Sequence, residues 1–217
     1  MKDKNLIKKH QEAFLFKAKA RTEPISISIQ GIKAAVNPGV FPPATDTKLL
    51  ISNIDVSEED RIIDITTGSG TVAIIAGLQG ASGYAVDINP KAVENARQNI
   101  EHYNVDIKVI ESNLFSDVPE EKFNFIFANG PFFEGKIKDP MDYACYGARL
   151  FVENLLKQVS QRLKPKGKLL IVMSAWAELD HLEAEAKKNG LSFEITNRRK
   201  SDDGEREYLL YEISLKI

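Results

Sequence analysis

The stretch RIIDITTGSGTVAII, residues 61–75, changes its character half-way along. Three of its first five residues are isoleucine, which is typical of a buried strand. The glycines that follow permit a tight turn and a close approach of the backbone to a ligand. Apolar residues then resume as the start of a helix. The stretch therefore predicts a strand, a glycine loop and a helix, a unit typical of a doubly wound α/β sheet.

Strands and helices alternate along most of the remaining chain. Near-continuous apolar runs such as FIFA, residues 125–128, indicate parallel strands that are covered on both faces of a sheet. Near the C-terminus, two strands flank an Asp203-Gly204 turn. We therefore predict an α/β fold, a Rossmann-like doubly wound seven-stranded sheet with an antiparallel C-terminal edge strand. Its five parallel strands are predicted at residues 61–65, 83–87, 107–111, 123–128 and 168–173, and its helices at 71–79, 90–103, 148–163 and 177–188.

The length and composition indicate one principal domain. The chain has 217 residues, of which 43% are hydrophobic, and this is enough to bury one core. A helical pattern at residues 5–20 and a hairpin at residues 25–36 come before this domain. We predict an N-terminal extension, residues 1–43, and a main domain, residues 44–217, that begins with a helix at residues 46–53.

Charge and residue types exclude several classes of protein. The net charge of −2 and the isoelectric point near 6.0 provide no overall attraction to nucleic acids or anionic membranes. The single cysteine, Cys145, excludes a disulfide framework, and the three histidines lack the spacing of metal ligands. The N-terminal residues contain no apolar run long enough for a signal peptide or a membrane span. We expect a cytoplasmic protein with no metal site.

Two aspartates mark the ends of the first two strands of the predicted sheet. Asp64 lies just before the glycine loop, and Asp87 ends the second strand. Doubly wound sheets bind their ligands outside the carboxyl ends of their strands. A carboxylate at the end of the second strand can accept hydrogen bonds from both ribose hydroxyls of a nucleotide-like cofactor. The pattern therefore predicts such a cofactor beside Gly68, Gly70 and Asp87.

Residues 68–73, GSGTVA, also match the dinucleotide pattern G-x-G-x-x-A, so a dehydrogenase is an alternative. Dinucleotide domains usually open with this unit, whereas about sixty residues precede it here. Asp64 would sit unfavourably beside a pyrophosphate and favourably beside an ammonium group. The fourth strand also runs into residues 129–132, NGPF, and a dinucleotide site does not need this sequence. These features disfavour the dehydrogenase.

The same segments resemble the class I S-adenosylmethionine-dependent methyltransferases, and within them the small-domain, HemK-like group. That group includes glutamine methyltransferases of release factors and RNA methyltransferases that act on adenine N6 or guanine N2. Its members carry D-x-G-x-G-x-G, an acidic residue after strand two, D-x-F after strand three and N-P-P-[YF] after strand four. The resemblance covers about residues 38–175 and includes a P-x-x-D-[TS] segment at residues 43–47.

The resemblance implies S-adenosylmethionine as the cofactor and assigns roles to individual residues. The residues that it assigns to cofactor binding are Thr45, Asp46, Thr47, Asp64, Thr66, Thr67, Gly68, Gly70, Asp87, Ile88, Asn113, Leu114 and Asn129. Those that it assigns to the methyl acceptor, as the catalytic loop, are Asn129, Gly130, Pro131 and Phe132. The extension, residues 1–43, is expected to form the wall on the substrate side.

Three residues depart from the family pattern. Thr66 replaces the first glycine of the loop and narrows the space beside the methionine part of the cofactor. Asn113 replaces an aspartate, although its carbonyl oxygen still accepts hydrogen bonds, as from the N6 amine of adenine. Gly130 replaces the first proline of N-P-P-[YF], which keeps the backbone carbonyl but lowers the stiffness of the loop. None of the three excludes methyl transfer.

The loop after the fourth strand has a chemical explanation. The lone pair of an amide or ring NH₂ nitrogen is delocalised, so the nitrogen is a poor nucleophile. The side-chain oxygen of Asn129 and the carbonyl of Gly130 can accept hydrogen bonds from that NH₂ and direct its lone pair. Phe132 can stack on the planar group, and Pro131 fixes the turn. A loop that only fills the core does not explain the asparagine.

The acceptor itself is left open by the sequence. The slightly acidic chain favours an amide, amine or planar NH₂ group of a peptide, protein or small molecule. A base of rRNA or tRNA is the alternative, since a basic face on the first helix offers phosphates a foothold. A non-catalytic partner subunit that only binds S-adenosylmethionine is a further alternative. The basic residues of the first helix are Lys8, Lys9, Lys17, Lys19 and Arg21, and residues 198–200, RRK, form a second basic run.

Overall fold

The computed structural model describes residues 4–216, with the side chains of residues 9, 10 and 12–216. Residues 1–3 and 217, at the outer ends of the two predicted domains, lie outside this range. The elements are α1 (Lys4–Lys19), β1 (Ile25–Ile29), β2 (Ile32–Val36), α2 (Thr45–Ile51), β3 (Arg61–Ile65), α3 (Thr71–Leu78), β4 (Ser82–Asp87), α4 (Pro90–Tyr103), β5 (Ile107–Glu111), β6 (Phe123–Ala128), a 3-10 helix (Pro140–Ala144), α5 (Ala148–Arg162), β7 (Leu163–Ser174), α6 (Leu179–Lys188), β8 (Leu191–Lys200) and β9 (Glu207–Leu215).

Strands β3 to β9 form one seven-stranded sheet in the order β5-β4-β3-β6-β7-β9-β8. β3 pairs in parallel with both β4 and β6. The chain adds β4 and β5 on one side of β3 and then returns to add β6 on the other side, so the winding reverses between β3 and β6. β9 runs antiparallel to β7 and β8, so the predicted Rossmann-like sheet with antiparallel C-terminal strands is confirmed. β9 lies inside and β8 forms the edge. The burial pattern agrees with this order, because β9 is mostly buried and β8 is mostly exposed.

Helices cover both faces of the sheet, as the continuous apolar strands predict. Neighbouring residues of a strand point to opposite faces. Ile63 accordingly packs in the core beneath α5 and α6, whereas Ile62 packs in the core beneath α2, α3 and α4. This two-sided burial holds the carboxyl ends of β3, β4 and β6 in fixed positions beside one another.

The largest difference from the prediction is the start of β7, which lies five residues before the predicted residue 168. Its first part contains Lys166, with φ of 66°, and Gly167. A Cβ atom at Gly167 would lie 2.8 Å from the carbonyl oxygen of Phe123, so only glycine lets the strands approach here. The pairing with β6 shifts register at this point. The prediction placed the start of β7 too late because the proline, lysines and glycine of this segment are typical of a break between strands.

The N-terminal extension contacts the main domain through both α1 and the hairpin. α1 packs through Leu15 and Ala18 against Met141 of the 3-10 helix. The hairpin β1–β2 lies instead on α4, where Asn99 Oδ1 accepts a hydrogen bond of 3.1 Å from the Ala35 amide. In the part of the chain that the structure covers, no helix combines the length and the apolar character needed to cross a membrane.

Candidate active site

The glycine loop between β3 and α3 contains two glycines with different functions. Gly68 and Gly70 both have left-handed backbones, with φ of 57° and 83°. A Cβ atom at Gly70 would lie 3.3 Å from Ala96, so this glycine permits close packing of α3 and α4. A Cβ atom at Gly68 would meet nothing closer than the Phe41 carbonyl oxygen at 3.9 Å. Gly68 therefore faces open space, and Gly70 faces protein.

That open space is a cleft at the carboxyl ends of β3, β4 and β6, which we call the main cleft. It lies at the reversal of winding, where doubly wound sheets bind ligands. α2 and the 3-10 helix close its other sides. Its walls are formed by residues 41–43, 46, 47, 64, 66–69, 71, 72, 87–89, 92, 129, 130, 140, 141, 143 and 144.

Asp64 places a buried carboxyl in the wall of the main cleft. Only 2% of this residue is exposed, and its carboxylate accepts a hydrogen bond of 2.6 Å from the Thr67 hydroxyl. Burial raises the pKa of Asp64 to about 7, and the negative charge of Asp87 adds to the increase. A cation in the cleft would lower the pKa of Asp64 again. The Asp64 carboxylate can therefore interact favourably with a positively charged group.

Asp87 links the glycine loop to the start of α4. Its Oδ2 accepts a hydrogen bond from the Gly68 amide and its Oδ1 accepts one from the Asn89 amide, both of 2.9 Å. Asn89 in turn caps α4. Each carboxylate oxygen of Asp87 can accept a further hydrogen bond, so the group retains capacity for two hydroxyl donors. Desolvation raises the pKa of Asp87.

Asn129 brings an unsatisfied acceptor to the main cleft. Its backbone amide donates to Thr66 Oγ1 over 3.3 Å, and its Nδ2 donates to Thr47 Oγ1 over 3.1 Å. Its Oδ1 is buried and has no hydrogen-bond partner among the described residues. A buried acceptor without a partner costs about 1–3 kcal/mol. An N–H donor that enters the cleft would remove this penalty.

Gly130, the departure from the family's proline, has a local packing reason. A Cβ atom at this position would lie 2.3 Å from the ring of Phe151 on α5. The ring occupies the space that a larger residue would need. The loop after β6 is therefore held partly by Phe151, and Gly130 also lines the main cleft.

Phe132 lies beyond the main cleft, in an adjoining space that we call the aromatic hollow. Its ring is 6.0 Å from that of Tyr208 on β9. Asp46 lines both spaces, and desolvation raises the pKa of this carboxyl. The hollow is lined by His10, Phe14, Phe41, Ala44, Asp46, Phe132, Phe133, Ala144, Cys145, Ser174, Trp176, Arg206 and Tyr208.

Several residues of the aromatic hollow were not predicted from the sequence. Trp176 follows β7, Arg206 precedes β9 and Tyr208 lies in β9, all far along the chain from residues 129–132. No motif marks them. The only available signal was that β9 would pair with the sheet beside β7, which brings its first residues to the carboxyl end of β7.

A third space, the side pocket, opens from the main cleft beside β4 and β5. It contains Asn113, Leu114 and Pro131, and it shares Thr66, Asp87, Ile88 and Tyr143 with the main cleft. The apolar residues provide a surface for a flat ring, and Asn113 is exposed at its edge. Most of the predicted cofactor residues thus lie around two connected spaces.

Two of the predicted cofactor residues do not line either space. Thr45 is the first residue of α2, and Gly70 packs against α4 as described above. Of the four residues predicted to contact the acceptor, Asn129 and Gly130 line the main cleft, Pro131 lines the side pocket, and Phe132 lines the aromatic hollow.

The fold also brings together one group of potential metal ligands that the sequence spacing did not indicate. Glu153 on α5 and His181 and Glu185 on α6 have donor atoms within 4.8 Å of one another. His181 Nε2 lies 3.3 Å from Glu153 Oε1. The two oxygens of Glu185 accept hydrogen bonds from Lys188, at 2.9 and 3.0 Å. Lys188 thus already engages Glu185, and none of the three residues lines the main cleft.

A comparison with known families matches the geometry of the site. Residues 32–189 match the family described as the methyltransferase small domain, which is well over half of the chain. The chain belongs to this family. It is accordingly an S-adenosylmethionine-dependent methyltransferase with HemK-like features, and the alternatives of a dehydrogenase and of a non-catalytic binding protein are set aside.

Two curated relatives of this methyltransferase differ in length and in described activity. A Methanocaldococcus jannaschii protein, provisionally described as a protein N5-glutamine methyltransferase, is 33% identical over 183 residues, which are 80% of this chain and 92% of the relative. The ribosomal RNA small subunit methyltransferase C of Psychromonas ingrahamii is 30% identical over 174 residues. These cover 78% of this chain but only 47% of that protein.

A solved structure supports the fold of the methyltransferase. The ribosomal protein L11 methylase of Lactobacillus delbrueckii subsp. bulgaricus superposes with a TM-score of 0.62 over 84% of each chain, at 24% identity. At this identity the likeness concerns the fold, and the acceptor has to be argued from the site.

Proposed function

We propose that this methyltransferase transfers a methyl group to the nitrogen of a protein side-chain amide. The observation that carries the proposal concerns Asn129, a residue that lines the main cleft and whose buried Oδ1 has no hydrogen-bond partner among the described residues. Buried acceptors are normally satisfied. A substrate with an N–H group would donate a hydrogen bond to Asn129 Oδ1, whereas a substrate methylated on carbon and without a hydroxyl group would not.

The residues of the main cleft and side pocket suit S-adenosylmethionine. Gly68 leaves room for close approach, and the buried Asp64 and the partly buried Asp87 offer carboxylates for an ammonium group and for ribose hydroxyls. Ile88, Leu114 and the Asn113 carbonyl provide the surface and the acceptor for the base. When bound, the cofactor supplies a methyl group on a positively charged sulfur, so no strong base is needed to activate the acceptor.

The catalytic loop then has to orient a weak nucleophile. Asn129 Oδ1 and the Gly130 carbonyl accept hydrogen bonds from the NH₂ group and hold its lone pair towards the methyl group. Both acceptors also stabilise the positive charge that develops on the nitrogen. Phe132, in the aromatic hollow, offers a flat surface for the rest of the amide. These contributions are positional and electrostatic.

The shape of the N-terminal extension supports a role on the acceptor side. His10 and Phe14 of α1 line the aromatic hollow, and the Phe14 ring lies 5.2 Å from that of Phe41. We infer that α1, within the extension of residues 1–43, forms the outer wall of the acceptor site. The hairpin β1–β2 lies on α4 and contributes to the support of the main cleft.

Two observations favour a protein acceptor over RNA. The relative described as a glutamine methyltransferase is covered over nearly its whole length, whereas the ribosomal RNA methyltransferase is covered over about half. The basic residues of α1 and of the segment that follows it are also partly engaged in contacts within the protein. Lys19 Nζ lies 2.6 Å from Asp139 and 2.5 Å from Asp142, and Arg21 donates three hydrogen bonds to backbone carbonyls. The side chain of Lys8 lies outside those described.

An RNA base remains the second candidate, and one observation favours it. Residues 198–200, RRK, are all exposed on the edge strand β8, whose C-terminal end leads towards Arg206 in the aromatic hollow. Phosphates attract such a surface. The amino group of a base would take the same chemical role as the amide NH₂ group.

Radiolabelled methyl transfer tests both candidates. Purified enzyme with methyl-labelled S-adenosylmethionine is added to a cell extract, which is then separated into protein, RNA and small molecules. We expect label in protein, on glutamine in the digested fraction, with little change between low and moderate salt. Label in RNA, with activity that falls steeply with salt, would replace the protein acceptor by the RNA base.

Asn129→Ala tests the catalytic loop in the same assay. Loss of one positioned polar group should lower turnover by about a hundredfold and leave the affinity for S-adenosylhomocysteine nearly unchanged. Asn197→Ala, at an exposed asparagine of β8, is the matched control and should retain full activity. Full activity of Asn129→Ala would show that residues 129–132 are structural.

A further inference from the structure

Thr66 occupies a backbone conformation that does not suit its side chain. Its φ is 67°, in the left-handed region, where a β-branched residue is a genuine outlier. Such a conformation costs about 1–3 kcal/mol, and glycine would adopt it without strain. A threonine at this position therefore needs a compensating contact.

The Thr66 hydroxyl makes contacts that glycine could not make. It donates a hydrogen bond to the carbonyl oxygen of Ile65, the preceding residue in β3. It also accepts a hydrogen bond of 3.3 Å from the backbone N–H of Asn129. The second contact joins the end of β3 to the end of β6. It ties the glycine loop directly to the first residue of the catalytic loop.

Gly130 explains why such a tie is useful. A residue before proline is restricted to extended conformations, and Asn129 lacks this restriction because glycine follows it. Glycine also allows more backbone freedom than any other residue. Proline would collide with Phe151, which lies 2.3 Å from the Cβ position. The backbone of Asn129 therefore requires another constraint.

We propose that Thr66 is a positioning residue for methyl transfer, whose hydroxyl fixes the backbone of Asn129 in place of the proline that residue 130 lacks. Thr47 holds the side chain of Asn129 through Nδ2, and Thr66 holds its main chain, so that Oδ1 is the atom left for the acceptor. The inference rests on the proposed role of Asn129. It assigns a joint purpose to the departures at residues 66 and 130.

Thr66→Gly and Thr66→Ser separate positioning from simple structural support. Thr66→Gly removes both the strain and the hydroxyl, so we expect unchanged or higher thermal stability but a turnover at least tenfold lower, since small misplacements near reacting groups reduce rates by up to about a hundredfold. Thr66→Ser keeps the hydroxyl and should recover most of the turnover.

A second measurement does not depend on the acceptor. The Thr66 hydroxyl should protect the Asn129 amide hydrogen from exchange, which NMR can follow in the enzyme alone. We expect its exchange to be about tenfold faster in Thr66→Gly than in Thr66→Ser, as for a lost hydrogen bond of about 1.4 kcal/mol. Equal exchange in the two variants would overturn the inference.

The double variant Thr66→Gly/Asn129→Ala separates this inference from the proposed function. If Thr66 acts through Asn129, adding Thr66→Gly to Asn129→Ala should lower the turnover no further. An unchanged rate in Thr66→Gly, with a large loss in Asn129→Ala, would refute positioning and leave the proposed function intact. An unchanged rate in Asn129→Ala would refute both. An additional loss in the double variant would show that Thr66 acts by another route.

Discussion

The carboxyl of Asp64 should make cofactor binding depend on pH near neutrality. Its pKa is about 7 in the folded, ligand-free protein, because it is buried beside Asp87. We propose that the ammonium group of the cofactor binds the ionised form. At pH 6 only about a tenth of the carboxyl is ionised, so the dissociation constant for S-adenosylhomocysteine should rise about tenfold between pH 8 and pH 6. Binding at pH 6 should also release nearly one proton.

The same group should lower the stability of the ligand-free protein as the pH rises. The folded pKa of about 7 lies above the ordinary value of 3.8, so the folded protein binds more protons than the unfolded chain between these values. The contribution of the protonated Asp64 carboxyl to the free energy of unfolding is therefore complete below pH 3.8 and is lost as the pH rises through 7. Between pH 5 and pH 8, the free energy of unfolding of the wild-type protein should fall by about 3 kcal/mol relative to that of Asp64→Asn, whose side chain cannot ionise.

Titration calorimetry at pH 6, 7 and 8 measures the effect on binding, and two buffers of different ionisation enthalpy count the protons. The control ligand is 5′-methylthioadenosine, which has the adenine and ribose but no ammonium group. Its affinity should be nearly independent of pH, and Asp64→Asn should bind both ligands without the pH dependence. An equal pH dependence for the two ligands would assign the titration to Asp87. No pH dependence for either would refute Asp64 as the ammonium site.

Two further predictions concern neighbouring residues. Asp87→Ala should weaken the binding of S-adenosylhomocysteine by about 2 kcal/mol, because hydrogen bonds to a charged acceptor are lost. Calorimetry measures this on a variant whose circular dichroism is unchanged, and unchanged affinity would contradict the assignment of Asp87 to the ribose. Gly130→Ala should lower the free energy of unfolding by about 1–3 kcal/mol, because the added methyl group meets the Phe151 ring, as urea denaturation can show. Phe151→Leu in the same chain should recover part of the loss, and an unaffected stability in Gly130→Ala would show that the ring moves freely.

Much of the fold could be predicted from the sequence because local patterns agree with the global arrangement. The strands at residues 61–65, 107–111 and 123–128 begin and end at the predicted positions. The apolar run at residues 125–128 marks its strand because buried parallel strands need continuous apolar residues. Asn89 with a following proline predicts the start of α4 for an equally local reason. The prediction failed where backbone pairing overrides composition, as at Gly167, which lies inside β7 because the neighbouring strand approaches it.

The part of the candidate site that is built on the glycine loop and strand ends was also contained in the sequence. Asp64, Gly68, Asp87 and Asn129 each follow or end a strand, and the topology of a doubly wound sheet necessarily brings such positions together. The sequence indicated the types of residue and the order of the strands. It determined that a cofactor cleft would exist and roughly which residues would face it.

Only the tertiary structure decided how those residues are held and what surrounds them. The Oδ1 of Asn129 has no partner among the residues that the structure describes, whereas Thr47 and Thr66, from two other segments of the chain, accept hydrogen bonds from its Nδ2 and backbone N–H groups. Phe132 turned away from the main cleft to meet Tyr208, which belongs to β9. Such contacts join residues that are far apart in the chain, and their geometry depends on side-chain packing at the scale of ångströms. No local pattern of residues encodes it.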